Sequence, residues 1–273
     1  MITAANEMAI GQAEEVTQKV HEISYLIRNG KTLQCPIDDE TSESLRRTRI
    51  TCAHWNCGGS GAQFRNEEGF AVYIVLHRPD VLLLNEIKAA DFFVESMAKC
   101  LNYGCRVVSS TNPRGRHKRG SAVFYKTGKL KVEAGGESTA ARDSDGSPQV
   151  EMVWIDGRNV VTNDVYRIAS IYSLNEQVAP VCRQEIINAR PTSRTPYIIA
   201  GDLNMDRDRF NMTFGSDGIF DCLGQAWKTN RWRAKESSID YVLSTHPTLV
   251  TCDRPVEPQG TNVHYVIPFI IGQ

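Results

Sequence analysis

The sequence predicts an α+β fold in which two packed sheets carry helices on their outer faces. From Arg49 onward, short apolar runs recur with polar or glycine-containing breaks between them, and only a few stretches have helical spacing. The chain has 273 residues and 41% hydrophobic content, enough to bury one sizeable core without dividing into two domains.

In chain order, residues Ala13 to Asn29 set Val16, Val20, Ile23 and Ile27 near helical spacing among charges, and Gly30 follows as a helix C-terminal signal. A polar stretch from Asp38 to Arg47 comes next, so residues 1–47 read as an N-terminal helical extension or linker and residues 48–273 as the domain proper. Strands are predicted at Ile50–Trp55, Val81–Asn85, Arg106–Ser110, Ser121–Lys126, Leu130–Ala134, Val150–Ile155, Tyr166–Tyr172, Tyr197–Gly201, Ile239–Ser244, Thr248–Asp253 and Tyr265–Ile271. Helices are predicted at Gly69–Leu76, Ala89–Leu101 and Val178–Ala189.

The chemistry sits where apolar runs stop. Tyr197 to Asn204 reads Y-I-I-A-G-D-L-N, a strand ending in Asp202 and Asn204, two apart and so on one side of the pleat. Alone, G-D-x-N also suits an ordinary turn after a buried strand. Other runs end similarly: R-I-T-C-A-H-W-N in Asn56, V-L-L-L-N-E in Glu86, and Y-R-I-A-S-I-Y in Tyr172. S-S-I-D-Y-V-L-S carries Ser237 and Asp240, and His264 opens the last run. Each has a plain alternative: a turn residue before Gly58 and Gly59 for Asn56, a surface residue opening a helix for Glu86, a strand aromatic for Tyr172, a structural imidazole for His264. Asp240, between Ile239 and Tyr241, is costly to bury without a use.

Read in order, these motifs resemble the endonuclease/exonuclease/phosphatase superfamily over roughly residues 48 to 273. The resemblance implies a four-layer αββα sandwich of two mainly antiparallel sheets flanked by helices, and phosphodiester hydrolysis assisted by Mg²⁺, with Mn²⁺ as the alternative. It implies that Glu86 binds the metal, that Asn56 positions Asp202 and the metal shell, and that Asp202 orients or deprotonates the attacking water. It gives Asn204 and Tyr172 to the phosphate, Ser237 to the phosphate, and Asp240 to the metal or to His264. One motif departs: the family usually reads Ser-Asp-His where this chain has Asn262, Val263 and His264. Val263 cannot accept a hydrogen bond from the imidazole, so the chain is weakly active, relies on another carboxylate such as Asp240, or is a degenerate copy.

The segment N-P-R-G-R-H-K-R-G gathers Arg114, Arg116, Lys118 and Arg119 into a loop that either neutralises DNA phosphates or is simply solvated. Arg119-Gly120 before an apolar strand, and Trp232 five residues before Ser237, resemble the endonuclease domains of non-LTR retrotransposons. That resemblance implies nicking of a DNA target strand, and a larger polyprotein as the context. A net charge of −1 means that any DNA contact comes from a local patch. No apolar run approaches the about 18 residues that cross a bilayer, and Met1 to Gln12 lacks a signal-peptide pattern, so an intracellular protein of nucleus or cytoplasm is expected, with no membrane partner. The eight cysteines contain no C-x-x-C pair and mostly lie in apolar runs, which favours reduced packing residues over disulfides or zinc. Two other functions stay open: a catalytically degenerate nucleic-acid-binding module, and a phosphoesterase acting on a soluble or lipid phosphate.

Overall fold

The structure, a computed structural model, describes residues 18, 48–58, 77–87, 91–111, 117–144, 146–192, 194–215, 221–223, 230–232, 235–237, 239–256 and 264–272. The helices expected at Ala13–Asn29 and Gly69–Leu76 lie outside these residues, apart from Gln18, as does the rest of 1–47.

The first sheet contains β1 (Ile50–Asn56), β2 (Val81–Asn85), β3 (Gly104–Thr111) and β4 (His117–Tyr125), with α1 (Asp91–Cys100) between β2 and β3. The chain then builds the second sheet from β5 (Leu130–Arg142), β6 (Pro148–Asn159), β7 (Val165–Ser173), β8 (Tyr197–Asp202), β9 (Asp221–Leu223) and β12 (Asp240–Ser244). Helix α2 (Ala179–Asn188) joins β7 to β8, and α3 (Arg207–Phe214) follows β8. A small hairpin of β10 (Asn230–Trp232) and β11 (Lys235–Ser237) precedes β12. Strands β13 (Val250–Cys252) and β14 (Ile267–Ile271) return to the first sheet.

The strand orders are β13-β14-β1-β2-β4-β3 and β5-β6-β7-β8-β12-β9. Pairing is antiparallel except for β1 with β2 and β7 with β8. The central strands are apolar on both faces because both faces are covered. In β2, Val81 and Leu83 meet the other sheet while Leu82 and Leu84 pack under α1. The space between the sheets is filled by Ile50, Cys52, Val123 and Phe269 from one side and Val153, Ile168, Ile198 and Val242 from the other. Helix α1 covers the outside of the first sheet with Val94, Met97 and Ala98. Helices α2 and α3 cover the second with Cys182, Ile186, Phe210 and Phe214. The result is the α+β, four-layer αββα sandwich.

Several boundaries differ from the sequence reading. Strand β5 runs to Arg142, far past Ala134, because it pairs along almost all of β6. Its middle is Gly135-Gly136, a poor strand signal, yet a Cβ on Gly135 would lie 2.7 Å from the Trp154 carbonyl oxygen and one on Gly136 2.1 Å from the Trp154 ring, so both glycines make room for the partner strand. Helix α3 has only Phe210 and Phe214 buried among charges, too few for a periodic signal, and starts where Asp206 Oδ1 accepts from Arg209 N. The basic segment is only partly a loop: His117–Gly120 belong to β4, with Arg119 paired to Ser110, because the β3–β4 ladder continues past the apolar residues. Arg114 and Arg116 lie outside the described residues, and Lys118 and Arg119 are placed by backbone alone.

Gly201 lets β8 lie close against β7: a Cβ there would come 1.8 Å from the Ile171 carbonyl oxygen. Gly201→Ala is therefore expected to cost about 3 kcal/mol or more, as overpacking against rigid backbone does. Urea unfolding of the variant checks this, and a loss below about 1 kcal/mol would contradict the close strand approach.

Candidate active site

The face of each central strand that fills the core turns polar at one end of the sandwich. In β1, Ile50 and Cys52 point between the sheets, and the same face continues with His54 and Asn56. In β8, Ile198 and Ala200 continue to Asp202, and in β12 Val242 shares its face with Asp240. Register does the rest: Tyr172 pairs with Asp202 across β7–β8, Asp202 with Asp240 across β8–β12, and Asn56 with Asn85 across β1–β2. Strict two-residue alternation thus delivers these polar groups to one end of the space between the sheets.

Asp202 is at the centre, 1% exposed. Its Oδ2 accepts from Asn56 Nδ2 at 2.6 Å and its Oδ1 from the Asn204 backbone N–H at 2.8 Å, while its own backbone N–H donates to Asn85 Oδ1 at 3.1 Å. His264 Nε2 lies 3.9 Å from Asp202 Oδ2, and His264 Nδ1 lies 3.2 Å from Asp240 Oδ2. The missing Asp before His264 therefore does not leave the imidazole unsupported: Asp240 reaches it from β12. Asn204 gives a side-chain N–H to the Ser173 carbonyl at 2.8 Å. Glu86, half-buried, is 3.4 Å from Asn56 Nδ2. Glu86 and Asn204 both have positive φ, 53° and 47°, at the points where β2 and β8 leave the sheet. Such conformations are a common mark of functional sites.

The electrostatics separate two buried carboxylates. For Asp240, burial raises the carboxyl, but the charge and hydrogen bond of His264 and the hydrogen bond of His54 outweigh it and hold the group at about 2. For Asp202, burial and the nearby Asp240 charge push the carboxyl well above its ordinary range, with His264 and the Asn204 N–H opposing. For His264, burial favours the neutral ring, but the Asp240 charge and hydrogen bond, with Asp202 and Glu86 adding, raise it to about 9. The site thus sets a readily protonated imidazole against a readily ionised Asp240, and beside them an Asp202 carboxyl of raised basicity.

Ligand atoms of Asp202, Asp240 and His264 fall within 4.8 Å of one another. His264 has its Nδ1 on Asp240, and Asp240 has both oxygens on imidazoles. Asn56 Oδ1 accepts from Gly58 N at 2.7 Å, so Asn56 presents N–H groups to Asp202 and Glu86. Of the three residues expected at the metal, Asn56 and Asp240 are thus engaged as supports, and Glu86 is the carboxylate placed to serve. One or two carboxylates and several waters suit Mg²⁺, so the donor set fits that ion.

Tyr172 is buried in the same row as Asp202. Ser237 ends β11 and its side chain is outside the described ones, as are Asn262 and Val263. Sequence reading passed over Asn85, Ser170 and His54. Asn85 donates to Ser170 Oγ at 2.9 Å and Ser121 Oγ at 3.0 Å, joining the two sheets. The available signal was parity: each is a polar residue on the core face of an apolar strand.

A two-sheet sandwich with buried carboxylates, an imidazole and a half-buried glutamate gathered at one end is the architecture of a class of phosphoester hydrolases. The Endonuclease/Exonuclease/phosphatase family matches residues 53–262, and the chain belongs to it. A search of curated proteins finds no match. Among solved structures, the human nocturnin catalytic domain with bound sulfate is 13% identical, with a TM-score of 0.66 over 82% of this chain and 94% of that one. D. rerio TDP2 complexed with a single-strand DNA product is 14% identical, with a TM-score of 0.62 over 83% and 100%. A mannosyl-6-phosphatase of Bacteroides thetaiotaomicron is 16% identical, with a TM-score of 0.59 over 81% and 99%. These likenesses establish the fold. No helix among the described residues is long and apolar enough to cross a membrane.

The His264–Asp240 pair has a consequence for stability. His264 is raised from 6.5 to about 9, so its contribution is complete below pH 6.5 and is lost as pH rises through 9. Asp240 is lowered from 3.8 to about 2, so the same pair fails at the acid end as pH falls through 2. The alkaline loss is on the order of 3 kcal/mol. Urea midpoints between pH 6 and 9.5 should fall for the native chain and fall much less for His264→Gln; equal slopes would contradict the pairing.

Proposed function

We propose that this chain is a Mg²⁺-dependent phosphodiester hydrolase that nicks DNA, in the manner of a retrotransposon endonuclease. The observation that carries the hydrolase reading is the placement of Asp202: a buried, basic carboxylate fixed by Asn56 and the Asn204 N–H, with the His264 imidazolium 3.9 Å away. Asp202 takes the proton of the attacking water. His264 faces the phosphoryl oxygens where negative charge builds, and Asp240 keeps the ring oriented and charged. A divalent cation, held by Glu86 and supported by Asn56, would neutralise a non-bridging oxygen and stabilise the leaving alkoxide. Asn204, Tyr172 and Ser237 complete the phosphate contacts in this reading.

DNA as substrate is supported by the basic residues Arg114, Arg116, Lys118 and Arg119, which would follow the target-strand backbone without reading sequence. A larger polyprotein would supply the reverse transcriptase. The degenerate-module alternative drew on Val263, and the Asp240 contact to His264 supports the catalytic reading over it. A phosphatase for a soluble ester is the competing reading, favoured by the likeness to the mannosyl-6-phosphatase.

Supercoiled plasmid incubated with Mg²⁺ should be nicked, EDTA should stop it, and Asp202→Asn should lower the rate by about 10² to 10⁴, the usual worth of a general base. Nicking that persists undiminished in Asp202→Asn would sink the assignment. No nicking, with hydrolysis of a sugar phosphate instead, would transfer the site to the competing reading.

A further inference from the structure

Asp240 is held from two sides. Its Oδ2 meets His264 Nδ1 at 3.2 Å, and its Oδ1 meets His54 Nε2 at 3.1 Å. His54 lies on the core face of β1 and is fully buried. The residues below it on that face are Ile50 and Cys52, so an apolar side chain would fill the position at less cost than an imidazole. Among the described residues His54 Nδ1 has no hydrogen-bond partner. The ring therefore carries its N–H on Nε2 and donates it to Asp240, because an N–H on Nδ1 would be buried and unsatisfied.

A carboxylate can turn about its last side-chain bond, and Asp240 must keep one oxygen on His264 to hold that ring toward Asp202. Pinning the other oxygen removes the rotation. We propose that His54 is a positioning residue of the hydrolytic site: its Nε2–H fixes Asp240, and through it the orientation of His264. Strand β1 then supports the reaction at two points, Asn56 on Asp202 and His54 on Asp240. This inference rests on the hydrolase reading for its kinetic consequence, but the hydrogen bond itself is independent of substrate.

The experiment compares native protein, His54→Leu, which fills the space without a donor, and His54→Gln, whose amide N–H reaches near the position of imidazole Nε2. With Mg²⁺ and bis(p-nitrophenyl) phosphate, His54→Leu should lose about 10- to 100-fold in kcat, as removal of an orienting partner does, with KM changed far less, and His54→Gln should recover most of the loss. Equal kcat in the two variants, whether native-like or equally reduced, would overturn the proposal, since only volume or burial would then matter. If His54→Leu does not fold, His54→Asn replaces it, because its shorter amide falls short of Asp240; Gln must again exceed Asn. Imidazole ¹H–¹⁵N spectra of the ligand-free proteins give a readout without turnover. The His264 Nδ1–H signal should shift or broaden in His54→Leu and return in His54→Gln, and an unchanged signal in His54→Leu overturns the positioning role. A native protein that cleaves no phosphoester would remove the function proposed above and leave these spectra to decide on His54.

Discussion

Asn85 is the constraint on which the site depends. Two sheets that meet only through apolar side chains attract each other without fixing their relative register, since burial is not directional. The Asn85 side chain reaches Ser121 in its own sheet and Ser170 in the other, and accepts the backbone N–H of Asp202. Every one of these groups is fully or almost fully buried. Slipping the sheets would take Ser170 and the Asp202 N–H away from the amide, at a cost of roughly 1–3 kcal/mol for each buried group left unsatisfied, so the sheets lock where Asp202 faces Asn56. The most central residue of the site is thus located by its own backbone N–H, which donates to a side-chain oxygen of the neighbouring sheet.

Once the sheets are locked, the same polar end must hold two carboxylates that burial penalises. They survive by taking different partners. Asp240 receives two imidazoles, which stabilise its charge, whereas Asp202 receives an amide and a backbone N–H, which orient it while leaving its basicity high. Environments that push two neighbouring acids apart are how one site obtains both a fixed anion and a usable base at neutral pH. The imidazolium between them, raised to about 9, is a product of the same arrangement and not a separate device.

Much of this was legible in the sequence because alternation and punctuation are local. Asp202, Asn204, Asn56, Tyr172, Asp240 and Glu86 each end or interrupt an apolar run, and the structure brings all six to one end of the sandwich with His264. The strand runs were readable wherever both faces are apolar. What was hidden was non-local or weakly patterned. The Asp240–His264 contact joins residues 24 apart and was expected only through the family resemblance, since no spacing rule links them. Gly135-Gly136 looked like a break and is a strand, because Trp154 of the partner strand occupies the space a side chain would need. Helix α3 has too few apolar residues to announce itself, and His54 and Asn85 were concealed by their own strands, where a single polar letter in an apolar word reads as noise.

The two strand ends that carry the chemistry each place a non-glycine residue in the left-handed region, as Arg78, Asn102, Ala141 and Asn163 do elsewhere in the fold. Glu86 is directly after Asn85 and Asn204 two residues after Asp202, the pair that lock the sheets, and both are left-handed. Asparagine tolerates this region, but glutamate does so at a cost of order 1–3 kcal/mol, and glycine would remove it. The ladder beyond holds the turn in place: Ile87 N donates to the Gly120 carbonyl at 2.9 Å, and Leu203 N to that of Ile239 at 2.9 Å. A glycine at 86 would relax the backbone and delete the one carboxylate of the expected metal set that is not already engaged as a support. The retained strain is then consistent with a position chosen for its side chain's chemistry, with the core beneath it stable enough to hold the turn.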